Sequence, residues 1–188
     1  MSPRMGLDRE AVVEAAAALT DEEGLEGLTL GRVAERLGVR APSLYNHVAG
    51  LGDLRRGVAA VGTEQLGDRL MRAAVGKSGE QAIFAIADAY RAFAKEHPGL
   101  YAAILRAPEP GDARCQAAAE AILEVVGAAF QTYRLDPVEH IDAIRGLRSL
   151  SHGFVSLELS GGFGMLQDVE RSFRRAVRTY LLGLTCAG

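Results

Sequence analysis

The stretch Leu28–Leu54, LTLGRVAERLGVRAPSLYNHVAGLGDL, reads as two short helices joined by a tight turn and followed at once by the start of a third. Thr29 is a favourable N-cap, because its hydroxyl can accept from a first-turn amide that has no partner inside the helix. Leu28 and Val33 are placed to close a hydrophobic staple around it. Leu30, Val33, Ala34 and Leu37 share one face at helical spacing. Gly38 supplies the left-handed conformation that ends a helix, and Val39 packs just past it. Pro42 pre-sets the first turn of the next helix. Leu44 and Val48, four apart, point inward, which leaves Ser43, Tyr45, Asn46 and His47 facing out. With Arg40 at its entry, such a face suits hydrogen bonds to phosphates and base edges. The pattern predicts a helix-turn-helix with its recognition helix at Pro42–Val48.

The rest of the chain must support that pair, since two short helices alone bury too little to be stable. The 188 residues are 48% apolar but only 6% aromatic, with no Trp, which fits an Ala- and Leu-rich helical protein rather than a sandwich or barrel. No apolar run reaches the roughly 20 residues that cross a bilayer. The N-terminus, MSPRMGLDRE, lacks the apolar core of a signal peptide, so a cytoplasmic protein is expected. The net charge of −3 is less informative than its distribution, because charges are screened over about 8–10 Å. The first helix is acidic. Leu28–Gly57 reverses the sign, with Arg32, Arg36, Arg40, Arg55 and Arg56 against Glu35 and Asp53, a modest basic patch on the reading face. Cys115 and Cys186 are far apart and show no metal-ligand spacing, so they read as small packing residues.

Breakers divide the chain into about nine helices with no strand signal. Asp8 caps the first, which carries Val12, Ala16 and Leu19 and ends at Gly24. Gly50 and Asp53 open a long fourth helix in which Gly52, Gly57, Gly62 and Gly67 are unusual, each costing about 1 kcal/mol against Ala. They mark either close packing or a helix soft enough to pivot. His97-Pro98-Gly99 forces a corner, Pro108–Gly111 is a loop, and Asp136-Pro137 is an N-cap followed by an N1 proline. Two long apolar stripes close the chain. Ile144, Leu147, Phe154 and Leu157 lie on the eighth helix, and Phe173, Val177, Tyr180 and Leu184 on the ninth. Either stripe can be buried against the body, or both can pair with a symmetry mate as a four-helix bundle. A two-fold reader needs two recognition helices about 34–36 Å apart, which pairing through these eight residues would supply.

The string GVRAPSLYNHVAGLGDLRRGVA resembles the DNA-binding domain of the tetracycline-repressor-like (TetR/AcrR) regulators. The shared frame is Leu28-Thr29, Val33-Ala34, Leu37-Gly38-Val39, Leu44-Tyr45, His47-Val48 and Leu54. The run SLSHGFVSLELSGGFG, Ser149–Gly164, resembles the signature of the family's WHG-type C-terminal domain. The resemblance implies an all-α protein. Residues 1–55 would be a three-helix helix-turn-helix DNA-binding domain, and residues 56–188 a ligand-binding and dimerisation bundle. It implies a homodimer that represses transcription on a palindromic double-stranded operator until a small, largely apolar effector releases it. Tyr45 and His47 match positions that touch phosphates, and Thr29 matches a helix start whose amides can face one. Arg40, Ala41, Pro42, Ser43 and Asn46 match positions that reach bases. Two departures stand out: Leu51 replaces a frequent phosphate-binding Lys, and Gly31 replaces an Arg that reads a base. Arg32, Arg36, Arg55 or Arg56 is expected to compensate in part. Ala41 is a weak N-cap for the recognition helix.

An effector cavity would draw on Tyr90, Phe93, Tyr101, Ile104, Phe130, Tyr133, His152 and Phe154, aromatic walls with a few polar tips. The same residues also describe an ordinary core. Catalysis is disfavoured: no phosphate loop follows a strand, and no HExxH, GxSxG or paired CxxC occurs. No metal or cofactor is expected. The rival reading is a helical small-molecule-binding or interaction protein that touches no DNA.

Overall fold

A computed structural model describes residues 7–109 and 111–185, and Cys186 lies outside them. Nine α-helices account for the regular structure of the described residues, with two short 3-10 turns at Leu25–Gly27 and Gln131–Tyr133 and no strand. They are α1 (Arg9–Glu23), α2 (Leu30–Leu37), α3 (Ala41–Leu44), α4 (Leu51–Ala74), α5 (Gly79–Glu96), α6 (Pro98–Ala103), α7 (Ala113–Phe130), α8 (Pro137–Leu159) and α9 (Val169–Thr185). The chain divides into two compact units. The first holds the residues up to Gln65 together with His97–Ala119, and the second holds Leu66–Glu96 with the residues from Glu120 onward. Residue 55, the boundary expected from the sequence, falls inside α4.

The local signals act as their chemistry requires. Asp8 caps α1 by accepting from the Ala11 amide at 2.8 Å. Asp136 and Glu139 form a reciprocal capping box at the start of α8, each side chain accepting from the other's backbone amide. In the first unit α1 is the spine. Val12 and Ala16 are fully buried on it, and two other helices approach it too closely for a side chain. A Cβ on Gly57 would lie 2.7 Å from Val13 Cγ2, and one on Gly99 would lie 1.8 Å from the Thr20 carbonyl oxygen. Gly62 is equally constrained, with Ile104 Cγ2 at 2.9 Å from such an atom. Close packing therefore explains Gly57 and Gly62, and no softness of α4 has to be invoked for either. At the corner before α6, His97 Nδ1 lies 2.5 Å from Asp21 Oδ2, and the Leu100 amide donates to Asp21 Oδ1 at 3.5 Å.

In the second unit α5, α8 and α9 pack together around Phe93, Leu147, Val155, Phe173, Val177 and Leu181, all buried. Three of the residues expected at a dimer interface, Leu147, Phe173 and Val177, thus belong to the protomer's own core. Apolar periodicity finds the buried face of a helix but does not say which neighbour buries it. Ile144, Phe154, Tyr180 and Leu184 are half-buried, and Leu157 is exposed. Tyr180 donates its hydroxyl to the Ala143 carbonyl at 2.7 Å, and Gly146 leaves room for its ring.

A charged cluster ties α5 to α8. Arg91 donates twice to Glu158 at 2.7 Å and Lys95 once at 2.7 Å, with the Arg91 and Glu158 side chains only 12% and 15% exposed. The Arg91 guanidinium also stands 5.5 Å from the Phe173 ring centroid. Its hydrogen bond holds the Glu158 carboxyl below the ordinary carboxylate range, against a smaller opposing effect of burial.

Two outcomes follow for stability. Gly99→Ala should lower the melting temperature sharply, because the new methyl can be placed only by moving the α1 or α6 backbone; an unchanged melt would show that this contact is not fixed. Because Glu158 has a depressed folded pKa, its contribution is complete above the ordinary value of 4.5 and is lost as the pH falls below it. Glu158→Gln should cost about 1–3 kcal/mol at neutral pH and much less in acid, as chemical denaturation at the two pH values would measure.

Candidate nucleic-acid interface

The turn between α2 and α3 is built from three local decisions. Thr29 Oγ1 accepts from the Arg32 amide at 3.2 Å and starts α2. Gly38, at φ 66°, ends it in the left-handed region, where the Val39 amide donates to the Ala34 carbonyl at 3.0 Å. Arg40 then leads into α3, and Ser43 returns its hydroxyl to the Arg40 carbonyl at 2.7 Å. The N-cap of α3 is therefore Arg40, one residue before the expected Ala41, and no side chain caps it.

The recognition segment is also shorter as an α-helix than its sequence suggests. Regular α geometry ends at Leu44, not at Val48. The amides of Tyr45, Asn46 and His47 each donate three residues back, a tightened 3-10 pattern, before Val48 returns to Leu44 at 3.0 Å. The faces nevertheless divide as the spacing requires. Leu44 and Val48 are buried, Pro42, Tyr45 and Asn46 are exposed, and Ala41, Ser43 and His47 are partly exposed. Tyr45 is 61% exposed, so its ring and hydroxyl are open to solvent. Thr29, at the start of α2, and Arg40 are exposed as well, so none of the eight residues selected from the sequence is buried.

The basic patch is more heavily engaged than the sequence shows. Arg32 pairs with Glu23 and, at 2.7 Å, with Glu35. Arg36 makes a two-fold contact with Glu22 at 2.7 Å. Arg56 lies 3.4 Å from Asp53 and 3.7 Å from Glu109. These acids come mainly from the end of α1 and from the segment before α7, so they clamp α2 and α4 to the rest of the unit. Asp53 is the hub of the α3–α4 turn. It accepts from Arg9 at 2.7 and 3.0 Å and from the Ala49 amide at 3.0 Å. The Arg9 hydrogen bond holds the Asp53 carboxyl below the usual range despite some burial. The acidic run Asp21-Glu22-Glu23 was the available signal for this clamping, since it ends α1 next to the basic helix α2.

The residues expected to form an effector cavity are distributed over both units. Tyr101 and Ile104 belong to the first, where Ile104 packs on Gly62. The other six belong to the second. Phe93, Tyr101 and Phe130 are buried, whereas Tyr90, Ile104, Tyr133, His152 and Phe154 are partly exposed. Phe154 stacks between Phe163 and Phe173, with centroids at 4.7 and 5.1 Å, and Phe130 meets Tyr133 at 5.8 Å. Tyr133 shares a groove with Tyr180, Leu135 and Leu184. Cys115 is buried, which pushes its thiol up. No group of three or more potential metal ligands occurs among the described residues, and none of their helices is long and apolar enough to cross a membrane.

Comparison with known proteins gives this geometry a family. Residues 12–47 match "Bacterial regulatory proteins, tetR family", and residues 83–180 match "Tetracyclin repressor-like, C-terminal domain". The HTH-type transcriptional regulator YobS of Bacillus subtilis, itself uncharacterised, is 36% identical over 185 residues, covering 98% of this chain and 96% of that protein. A structure of a protein of unknown function from Rhodococcus sp. RHA1 superimposes with a TM-score of 0.79 at 23% identity, covering 98% of this chain and 100% of the other. The structure of BioQ with its double-stranded DNA operator superimposes at 0.69 and 22% identity, covering 95% and 98%. The chain is all-helical, carries the helix-turn-helix in the segment the family match spans, and belongs to the tetR family of bacterial transcriptional regulators.

Proposed function

We propose that this regulator is a cytoplasmic repressor whose α2–α3 segment reads a two-fold operator. It acts on operator DNA as a homodimer. Residues 1–55 carry the reading function. Tyr45 and His47 hold phosphates, the first turn of α2 behind Thr29 offers its amides to another, and Arg40, Ala41, Pro42, Ser43 and Asn46 face base edges. The observation that carries this reading is the presentation of α3 and the turn that follows it: Leu44 and Val48 are sunk in the unit while Tyr45 and Asn46 stand in solvent.

Residues 56–188 supply dimerisation and effector binding. With Leu147, Phe173 and Val177 spent inside the protomer, the faces of α8 and α9 left for a second copy are those carrying the exposed Leu157 and Leu182. Gly153 and Gly183 lie inside these helices, and a Cβ on either would meet nothing within 4 Å. Each weakens its helix without serving a contact inside the protomer, as a closely approaching second helix would require. A small, largely apolar effector would lodge among the aromatic residues of the body, with Tyr90, Tyr133, His152 and Phe154 as its partly exposed members. It would release DNA by binding better to a geometry in which the two reading segments no longer fit successive major grooves. Such coupling is commonly worth about 1–3 kcal/mol. The function needs no catalytic step.

Fragments retained from the genome by the protein would supply the operator. On that operator, Tyr45→Phe combined with His47→Ala should weaken binding to all sequences alike. Asn46→Ala should instead change which bases are preferred, and binding like the parent's by both variants would misplace the reading segment. Leu182→Glu should shift the protein from dimer to monomer in sedimentation without lowering the protomer's helicity; a persistent dimer would place the interface elsewhere.

A further inference from the structure

Five arginines fall between Leu28 and Gly57, and the structure separates them into two kinds. Arg32, Arg36 and Arg56 each have a carboxylate partner on a neighbouring segment. A guanidinium already engaged in this way must give up one anion to meet another, so its exchange onto a phosphate gains little. Arg40 and Arg55 are exposed and have no carboxylate within ion-pair distance among the described residues. Arg40 immediately precedes α3, among the residues already assigned to the reading face. Arg55 is the fifth residue of α4, about 6 Å along the axis from the turn that follows α3. Asp53 turns toward Arg9 of α1, and Arg56 reaches both Asp53 and Glu109. Leu54 is buried. Successive side chains are rotated by about 100°, so Arg55 is thrown clear of all three directions into solvent.

We propose that Arg55 is a phosphate anchor of the DNA complex, and that with Arg40 it makes up the mobile positive charge each protomer offers from this stretch. The proposal rests on the DNA-binding reading above. An unengaged guanidinium matches a phosphate with two parallel N–H donors, while the paired arginines orient α2 and α4. The positive charge that meets the duplex from this stretch is then carried by two side chains per protomer, not five, with Arg55 on the phosphates.

Counterion release makes this countable without knowing the operator, because binding to a labelled duplex of arbitrary sequence is governed by the same charges. Affinity would be followed by fluorescence anisotropy over a range of salt concentrations. Arg55→Ala should flatten the plot of log affinity against log salt by about 0.9 per protomer, or about 1.8 for a dimer. Arg55→Lys should restore the slope. Arg36→Gln should keep the wild-type slope, since its guanidinium is already matched by Glu22. A wild-type slope in Arg55→Ala, or an equal flattening in Arg36→Gln, overturns the assignment of Arg55. Failure of the wild-type protein to bind any duplex would overturn the DNA-binding reading itself, and is seen before any variant is measured.

Discussion

The arrangement of the reading unit depends on how closely other backbones come to α1. Gly99 brings α6 against the Thr20 carbonyl, and Gly57 brings α4 against Val13. At those separations the helices have no room to slide or rotate without steric overlap, because interiors this dense transmit displacement instead of absorbing it. Polar contacts fix both ends of α1. Arg9 reaches the Asp53 hub of the α3–α4 turn, and Asp21 meets His97 and the Leu100 amide at the start of α6. The side chains of α3 thus stand on a segment whose position is set by contacts several helices away.

Electrostatics in this unit serve orientation first. The end of α1 carries Glu22 and Glu23, which take up the charge of Arg36 and Arg32. An exposed pair of this kind adds little to stability, but several of them on one joint restrict its angle. The same acids lower the positive potential that would draw in nucleic acid. The second unit uses charge differently. Arg91 and Glu158 are largely desolvated between α5 and α8, with the more exposed Lys95 beside them, and Arg91 also covers the Phe173 ring. Removing one partner there strands a charge, so that cluster acts as a lock between helices.

Much of the fold was legible because its boundaries are local chemistry. Asp8, Thr29, Gly38 and Asp136-Pro137 each start or stop a helix where their side chains or backbone preferences require it. The division of the recognition segment into buried Leu44 and Val48 and open Tyr45 and Asn46 followed from spacing alone. What could not be read depends on partners distant in sequence. Nothing near Phe173 or Val177 says whether a stripe meets its own protomer or a second one, and both proved to be core. Arg32, Arg36 and Arg56 look like free cations until Glu22, Glu23 and Glu109 are placed beside them. The glycines of α4 looked ambiguous for the same reason, since Gly57 is explained only by Val13 and Gly62 only by Ile104 and Leu100.

The central claim is that two copies of α3 enter successive major grooves. Methylation interference on a duplex selected from a random pool tests it most directly, since guanine N7 lies in the major groove and adenine N3 in the minor. The account predicts that N7 methylation blocks binding in two symmetric patches whose centres are about 10–10.5 base pairs apart, or a multiple of that. A single unsymmetric patch, or interference from adenine N3 alone, would contradict it.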